Sequence, residues 1–139
     1  MLIMRIMAFD YGTKRIGIAV SDNLQIIATA LDTVHPNHIW EFLATYLAQE
    51  EVETFVVGYP KQLDGTDSVN AQHVTGFVRK LKKTYSHIPV ELADERFTSK
   101  IALQAIGSSG MKKTKRQDKN RVDQVAAVLI LQSYMENKF

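Results

Sequence analysis

The sequence predicts an α/β fold: a five-stranded mixed sheet flanked by helices. Two observations carry this. Up to residue 34, three apolar runs are joined by short turns, the pattern of an antiparallel meander. From residue 36 onward, helical spacing alternates with short β-branched runs. That alternation implies parallel strands joined by right-handed crossovers. At 139 residues the length suits a single domain, residues 1–139, with no linker or internal repeat.

Each element has its own signal. Ile3 to Phe9 is apolar at nearly every position, as a strand buried on both faces would be. Asp10-Tyr11-Gly12-Thr13 signals a turn, with Gly12 free to take positive φ. Arg15 to Ser21 and Gln25 to Val34 read as the next two strands, separated by Asp22-Asn23. Pro36-Asn37 starts a helix carrying Trp40, Leu43, Ala44 and Leu47. Thr54 to Gly58 is a short strand, and Val74, Phe77, Val78, Leu81 and Tyr85 mark a second helix. Ile88 to Ala93 is the fifth strand. Thr98-Ser99 can cap a helix ending before Gly107, and Ser108 to Asp118 is the one stretch whose composition suggests disorder. A last helix runs from Lys119 to Glu136, with Val122, Val125, Ala126 and Leu129 facing inward.

Composition excludes several classes. Hydrophobic residues are 45% and charged residues 23%, so the bulk of the chain is not disordered. With no cysteine there is no disulfide framework, thiolate zinc site or cysteine nucleophile. The net charge of +2 does not by itself announce a polyanion partner. No apolar run approaches the ~18 residues that span a bilayer. The opening run is short, carries Arg5 and reads as a strand, so the expected location is cytoplasmic, with no membrane contact. The four histidines make no metal spacing and read as surface or structural. The glycines do not fit a phosphate-binding loop.

Three acidic positions stand out. Asp10 ends the first strand, Asp94 and Glu95 end the fifth, and Asp123 lies in the first turns of the last helix. Open α/β sheets place their sites at the carboxyl ends of the strands. Small alanines at 126 and 127 would let the last helix lie close to the sheet. Converging carboxylates repel unless a cation intervenes, and hard Mg²⁺ or Mn²⁺ is the natural one. Paired ions of that kind hydrolyse phosphodiesters by activating water and stabilising the leaving oxygen. Each acid also has a plain structural role. Asp10 can open a turn, Asp123 can sit behind an Asn120 cap, and Glu95 can pair with Arg96.

Lys112, Lys113, Lys115, Arg116, Lys119 and Arg121 form a dense basic run just before Asp123. Lys14 and Arg15 add charge just after Asp10. Such groups are either a solvated face or contacts to a nucleic-acid backbone. Val57-Gly58-Tyr59-Pro60 and Asp64-Gly65-Thr66 form a loop before the second helix, where Thr66 can cap and Tyr59 can stack on a base or cover the core.

Four stretches resemble the motifs of the YqgF (RuvX) family. They are Phe9-Asp10-Tyr11-Gly12-Thr13-Lys14-Arg15-Ile16-Gly17-Ile18-Ala19-Val20-Ser21-Asp22, then Val57-Gly58-Tyr59-Pro60 with Asp64-Gly65-Thr66, then Asp94-Glu95-Arg96-Phe97-Thr98-Ser99, and last Val122-Asp123-Gln124-Val125-Ala126-Ala127. They follow in order over nearly the whole chain. The resemblance implies an RNase H-like fold with sheet order 3-2-1-4-5. It implies a divalent-metal nuclease that matures pre-16S rRNA in ribosome biogenesis or resolves Holliday junctions in DNA recombination. By position the catalytic and metal-binding triad would be Asp10, Glu95 and Asp123, with Asp94 a substitute for Glu95. The partners would be precursor rRNA in the ribosomal small-subunit precursor, or branched DNA, bound by a monomer or a homodimer.

Two other readings compete. One is a nucleic-acid-binding module without catalysis, which the intact acids oppose. The other takes Asp10 to Thr13 as the phosphate motif of an actin-like ATPase, a fold that needs two lobes and more residues than this chain has.

Overall fold

The computed structural model describes residues 4–59, 71–94 and 119–138. In chain order these form β1 (Arg5–Tyr11), β2 (Ile16–Ser21), β3 (Ala28–Val34), a 3-10 turn (Pro36–His38), α1 (Ile39–Leu47), β4 (Val52–Tyr59), α2 (Ala71–Thr84), β5 (Val90–Asp94) and α3 (Lys119–Lys138). One sheet runs in the order β3-β2-β1-β4-β5. The meander β1-β2-β3 is antiparallel, and β4 pairs parallel with β1 and with β5. The expected architecture and strand order are therefore present. The helix expected after Thr98, the Ser108 to Asp118 stretch and the loop from Pro60 to Thr66 lie outside the described residues.

Strand pleating splits the core in two, because successive side chains point to opposite faces. Met7 and Phe9 of β1 join Ile18, Phe55 and Val57 beneath α1 and α2. Phe9 anchors this layer, with ring centroids 5.6 Å from Phe55 and 5.4 Å from Phe77. Ile6 and Ala8 face the other way, onto Ala127, Ile130, Leu131 and Met135 of α3. This second layer is thin: Ala8, Ala19 and Ala127 let the helix lie close. The inward stripe of α3 is turned relative to expectation. Ala126, Ala127, Ile130, Leu131 and Met135 are buried, whereas Val125 and Leu129 are only half-buried. Gly17, Ala8 and Ala19 make the sheet low beneath part of α3, beside Ile6 and Val56, so alanine fits at the closest approach where a branched side chain does not.

Three local expectations change. β3 begins at Ala28, not Gln25, because residues 22–27 form a built turn. The Asp22 carboxylate accepts the N–H groups of Ile26 and Ile27 at 2.7 and 2.8 Å. Gln25 sits at φ 58° and its amide donates to the Met4 carbonyl at 2.8 Å. Gly12 does not use positive φ. Its N–H donates to the Arg15 carbonyl at 2.9 Å, and a Cβ there would stand 2.8 Å from that same oxygen. Asn120 is already inside α3 and is not its cap.

Ser21 is a fully buried polar residue. The β1–β4 register shifts between Arg5 and Ile6, and there the Ser21 hydroxyl accepts the Ile6 N–H at 2.8 Å. Replacing Ser21 with Ala strands that buried N–H, so Ser21→Ala is expected to cost about 1–3 kcal/mol in urea unfolding. The exposed Asp22 carboxyl is held below the usual carboxylate range, chiefly by the Ile27 N–H, with Ile26 adding to it. Its stabilising effect is full above the unfolded-state pKa and fades as pH falls through the lowered folded value. Asp22→Asn should flatten that part of an acid-unfolding curve.

Candidate active site at the carboxyl end of β1

Asp10 is the next-to-last residue of β1, on the same face as Ile6 and Ala8 and therefore on the α3 side. Its register partner on β2 is Gly17. A Cβ at Gly17 would run into the Asp123 carbonyl. The backbone of α3 thus rests on β2 directly beside Asp10, and only a residue without a side chain allows it. Two further contacts fix this end of the helix. Arg15 Nε donates to Asp123 Oδ2 at 2.9 Å, and the Gln124 amide donates to Thr33 Oγ1 of β3 at 3.0 Å.

Asp10 and Asp123, two of the three expected acids, are thus brought to one strand end, both half-buried. Asp94 closes β5 in register with Tyr59. Glu95 lies outside the described residues, as do Lys112, Lys113, Lys115 and Arg116. Lys119 and Arg121 stand on the first turns of α3, and Lys14 is exposed at the β1–β2 turn. Among the described residues no three His, Asp or Glu side chains gather in a metal-binding group. The donor chemistry still fits a hard cation. Two half-buried carboxylates share a strand end, and the Asp123 carboxylate has already drawn a guanidinium to itself.

Arg15 is expected to touch phosphate, but here it is held by Asp123. Its side chain stays 34% exposed, against 22% for Asp123, so the pair is open to water. The role of Gly17 was not read from the sequence, although the signal was there: a glycine inside an apolar strand marks close backbone approach. His35 is structural, its Nδ1 accepting the Asn37 N–H at 3.0 Å at the start of the 3-10 turn, and His38 is exposed.

Residues 4–137 match the RuvX family, described as Holliday junction resolvase. The chain belongs to the RuvX family. RuvX proteins are nucleases, hydrolases of phosphodiester bonds. A relative from Phocaeicola vulgatus is 48% identical over 134 residues, covering 96% of each chain. One from Christiangramia forsetii is 45% identical, covering 94% of this chain and 97% of its own. One from Flavobacterium johnsoniae is 42% identical, covering 96% and 97%. All three carry the name "Putative pre-16S rRNA nuclease". Among solved structures, T. thermophilus RuvC in complex with a Holliday junction substrate superposes with a TM-score of 0.53 at 18% identity, covering 97% of this RuvX chain and 95% of RuvC. The shared fold is RNase H-like.

The Gly17 contact makes a direct test of this geometry. Gly17→Ala must push α3 off β2, and overpacking of this kind costs about 1–3 kcal/mol in urea unfolding. The same variant moves Asp123 away from Asp10, so if the two acids act together its nuclease activity falls even at temperatures where it stays folded.

Proposed function

We propose that this RuvX chain is a divalent-metal nuclease that matures the end of precursor 16S rRNA. The observation that carries the reading is the glycine-mediated contact that sets Asp123 beside Asp10 at the carboxyl end of β1. Asp10 and Asp123 would hold Mg²⁺ or Mn²⁺, with Glu95 as the third ligand. Pleat alternation favours Glu95 over Asp94, since Asp94 shares a register position with Tyr59, which packs on the α1/α2 side. The bound metal supplies activation of water and stabilisation of the leaving oxygen.

The protein's own groups do the rest. One of the carboxylates orients the attacking water. Arg15 balances Asp123 and, being a third exposed, can turn to the scissile phosphate. Lys14, with Lys112, Lys113, Lys115, Arg116, Lys119 and Arg121, would follow the nucleic-acid backbone, giving a salt-dependent affinity. The names of the relatives favour precursor rRNA as substrate. The small-subunit precursor would be the partner and the cytoplasm the location. No helix among the described residues is long and apolar enough to cross a membrane.

The family description favours a second reading, cleavage of branched DNA. An isologous homodimer would serve it by presenting two equivalent sites, whereas rRNA trimming needs only a monomer.

Labelled precursor rRNA and a four-way DNA junction, each with Mg²⁺ or Mn²⁺, decide between the two. The expected result is EDTA-sensitive cleavage of the rRNA. Asp10→Asn and Asp123→Asn should each lower it at least roughly 100-fold, beyond the 10–100-fold that losing an outer-shell partner costs. Preferred cleavage of the junction would move the assignment to branched DNA. No cleavage of either above the Asp10→Asn background would leave a binding module.

A further inference from the structure

A cavity of about 330 Å³ lies across β1 from Asp10, on the α1/α2 side. Its walls are aromatic. Phe77 is buried, Tyr11 stacks on it at 4.8 Å with 30° between the rings, and Trp40 leans on it at 5.7 Å. The rim is polar: Gln72 and His73 are exposed, and Lys80 Nζ sits 4.6 Å from the centre of the Trp40 ring. No acidic residue lines the cavity among the described residues.

Gly76 is the informative residue. It lies in the interior of α2 and lines this cavity, and a Cβ added there would meet nothing within 4 Å. Packing therefore gives no reason for glycine, which is the poorest helix former after proline. Gly12 and Gly17 each face a backbone oxygen that a side chain would strike, but Gly76 faces open space. Gly76 thus leaves one lining position of the cavity bare, at a helix position where glycine is costly.

We infer that this cavity is a nucleobase-binding site, taking an unstacked base of a single-stranded segment of the substrate. The inference deepens the nuclease reading and rests on it for the identity of the strand. The volume lies at the lower end of the ~300–1,000 Å³ range of small-ligand pockets. Aromatic faces bind bases without regard to sequence because every base has a π-face. The Lys80 ammonium now occupies a face of Trp40. A base stacking on that face displaces it, and the ammonium is then available to the adjoining phosphate. Gln72 and His73 offer hydrogen bonds to the base edge. The position fits the site already described, since Tyr11 directly follows Asp10 and the two flank one strand end.

Trp40 is the chain's single tryptophan, so it reports on its own pocket. A short single-stranded RNA and an abasic strand of equal length and charge would be titrated into the full chain in EDTA. Trp40 fluorescence and binding are both followed. The expected result is quenching by the base-bearing strand only, with binding about tenfold tighter than the abasic strand. Gly76→Leu, which fills the cavity from an exposed helix position, should abolish both differences. Gly76→Ala should raise Tm by roughly 2–4 °C while weakening base-dependent binding, a combination that a purely structural glycine would not give. A matched DNA strand shows whether the sugar contributes, and its quenching also supports the site. Equal binding of both strands without quenching overturns the inference, as does wild-type quenching in Gly76→Leu. Metal-dependent cleavage without base-dependent quenching would remove this site and leave the nuclease reading standing. Quenching without any cleavage would do the reverse.

Discussion

The contact between α3 and Gly17 is the constraint on which the rest of the structure depends. A helix normally rides about 10 Å from a sheet, held off by branched side chains on both surfaces. Here the residues at the closest approach are alanine and glycine. Ala8, Ala19 and Ala127 are fully buried, and at residue 17 there is no side chain at all. The helix start therefore comes down onto the strand backbone. Two things follow from one missing methyl group. Asp123 reaches the carboxyl end of β1, and Arg15, two residues before Gly17, comes within hydrogen-bond distance of it.

That closeness has an electrostatic consequence. Two carboxylates at one half-buried strand end oppose folding unless positive charge is nearby. Arg15 supplies it from within the chain. The strength of the pair matters for what it can do. A deeply buried ion pair is costly to break because it leaves a stranded charge. The Arg15–Asp123 pair has side chains 34% and 22% exposed, so water reaches both partners. Pairs this open are worth ~1 kcal/mol or less. Arg15 can thus neutralise Asp123 without locking it.

Much of this was legible in the sequence, and the rest was hidden for identifiable reasons. The meander, the crossovers and the position of Asp10 follow from apolar runs and turn residues, which are strong local signals. The strand order came with the family resemblance, since periodicity does not say which strands are neighbours. The inward stripe of α3 was misjudged by about one residue because Val125 and Leu129 carry more hydrophobicity than Ala127. Hydrophobicity ranks residues by appetite for burial, whereas a closely docked helix selects them by size. Gly17 was passed over for the same reason, as glycine adds nothing to an apolar count. The pairing of Arg15 with Asp123 was not legible, because a sequence displays charges and not their partners. The turn begun at Asp22-Asn23 runs on through residue 27, where apolar Ile26 and Ile27 read as strand, yet both stand in solvent, held there by the Asp22 carboxylate.

β1 ties the two halves of the molecule together through its pleat. Residues 6 to 9 are completely buried, between antiparallel β2 and parallel β4, so this strand has little freedom to shift. At its carboxyl end the pleat sends Asp10 toward α3 and Tyr11 toward the aromatic layer of α1 and α2. Neighbouring residues on one rigid strand keep a fixed relation, which residues on two loops would not. On the proposed reading, a strand of nucleic acid crossing this end of the sheet would meet carboxylates on one side and aromatic rings on the other. If the rings grip a base, the phosphate presented to the carboxylates would be set by the span of β1 itself, not by the basic groups proposed to draw the strand in. Position along the substrate is then fixed by stacking and attraction is provided by charge, so changes in salt should alter how tightly the substrate binds far more than where it is cut.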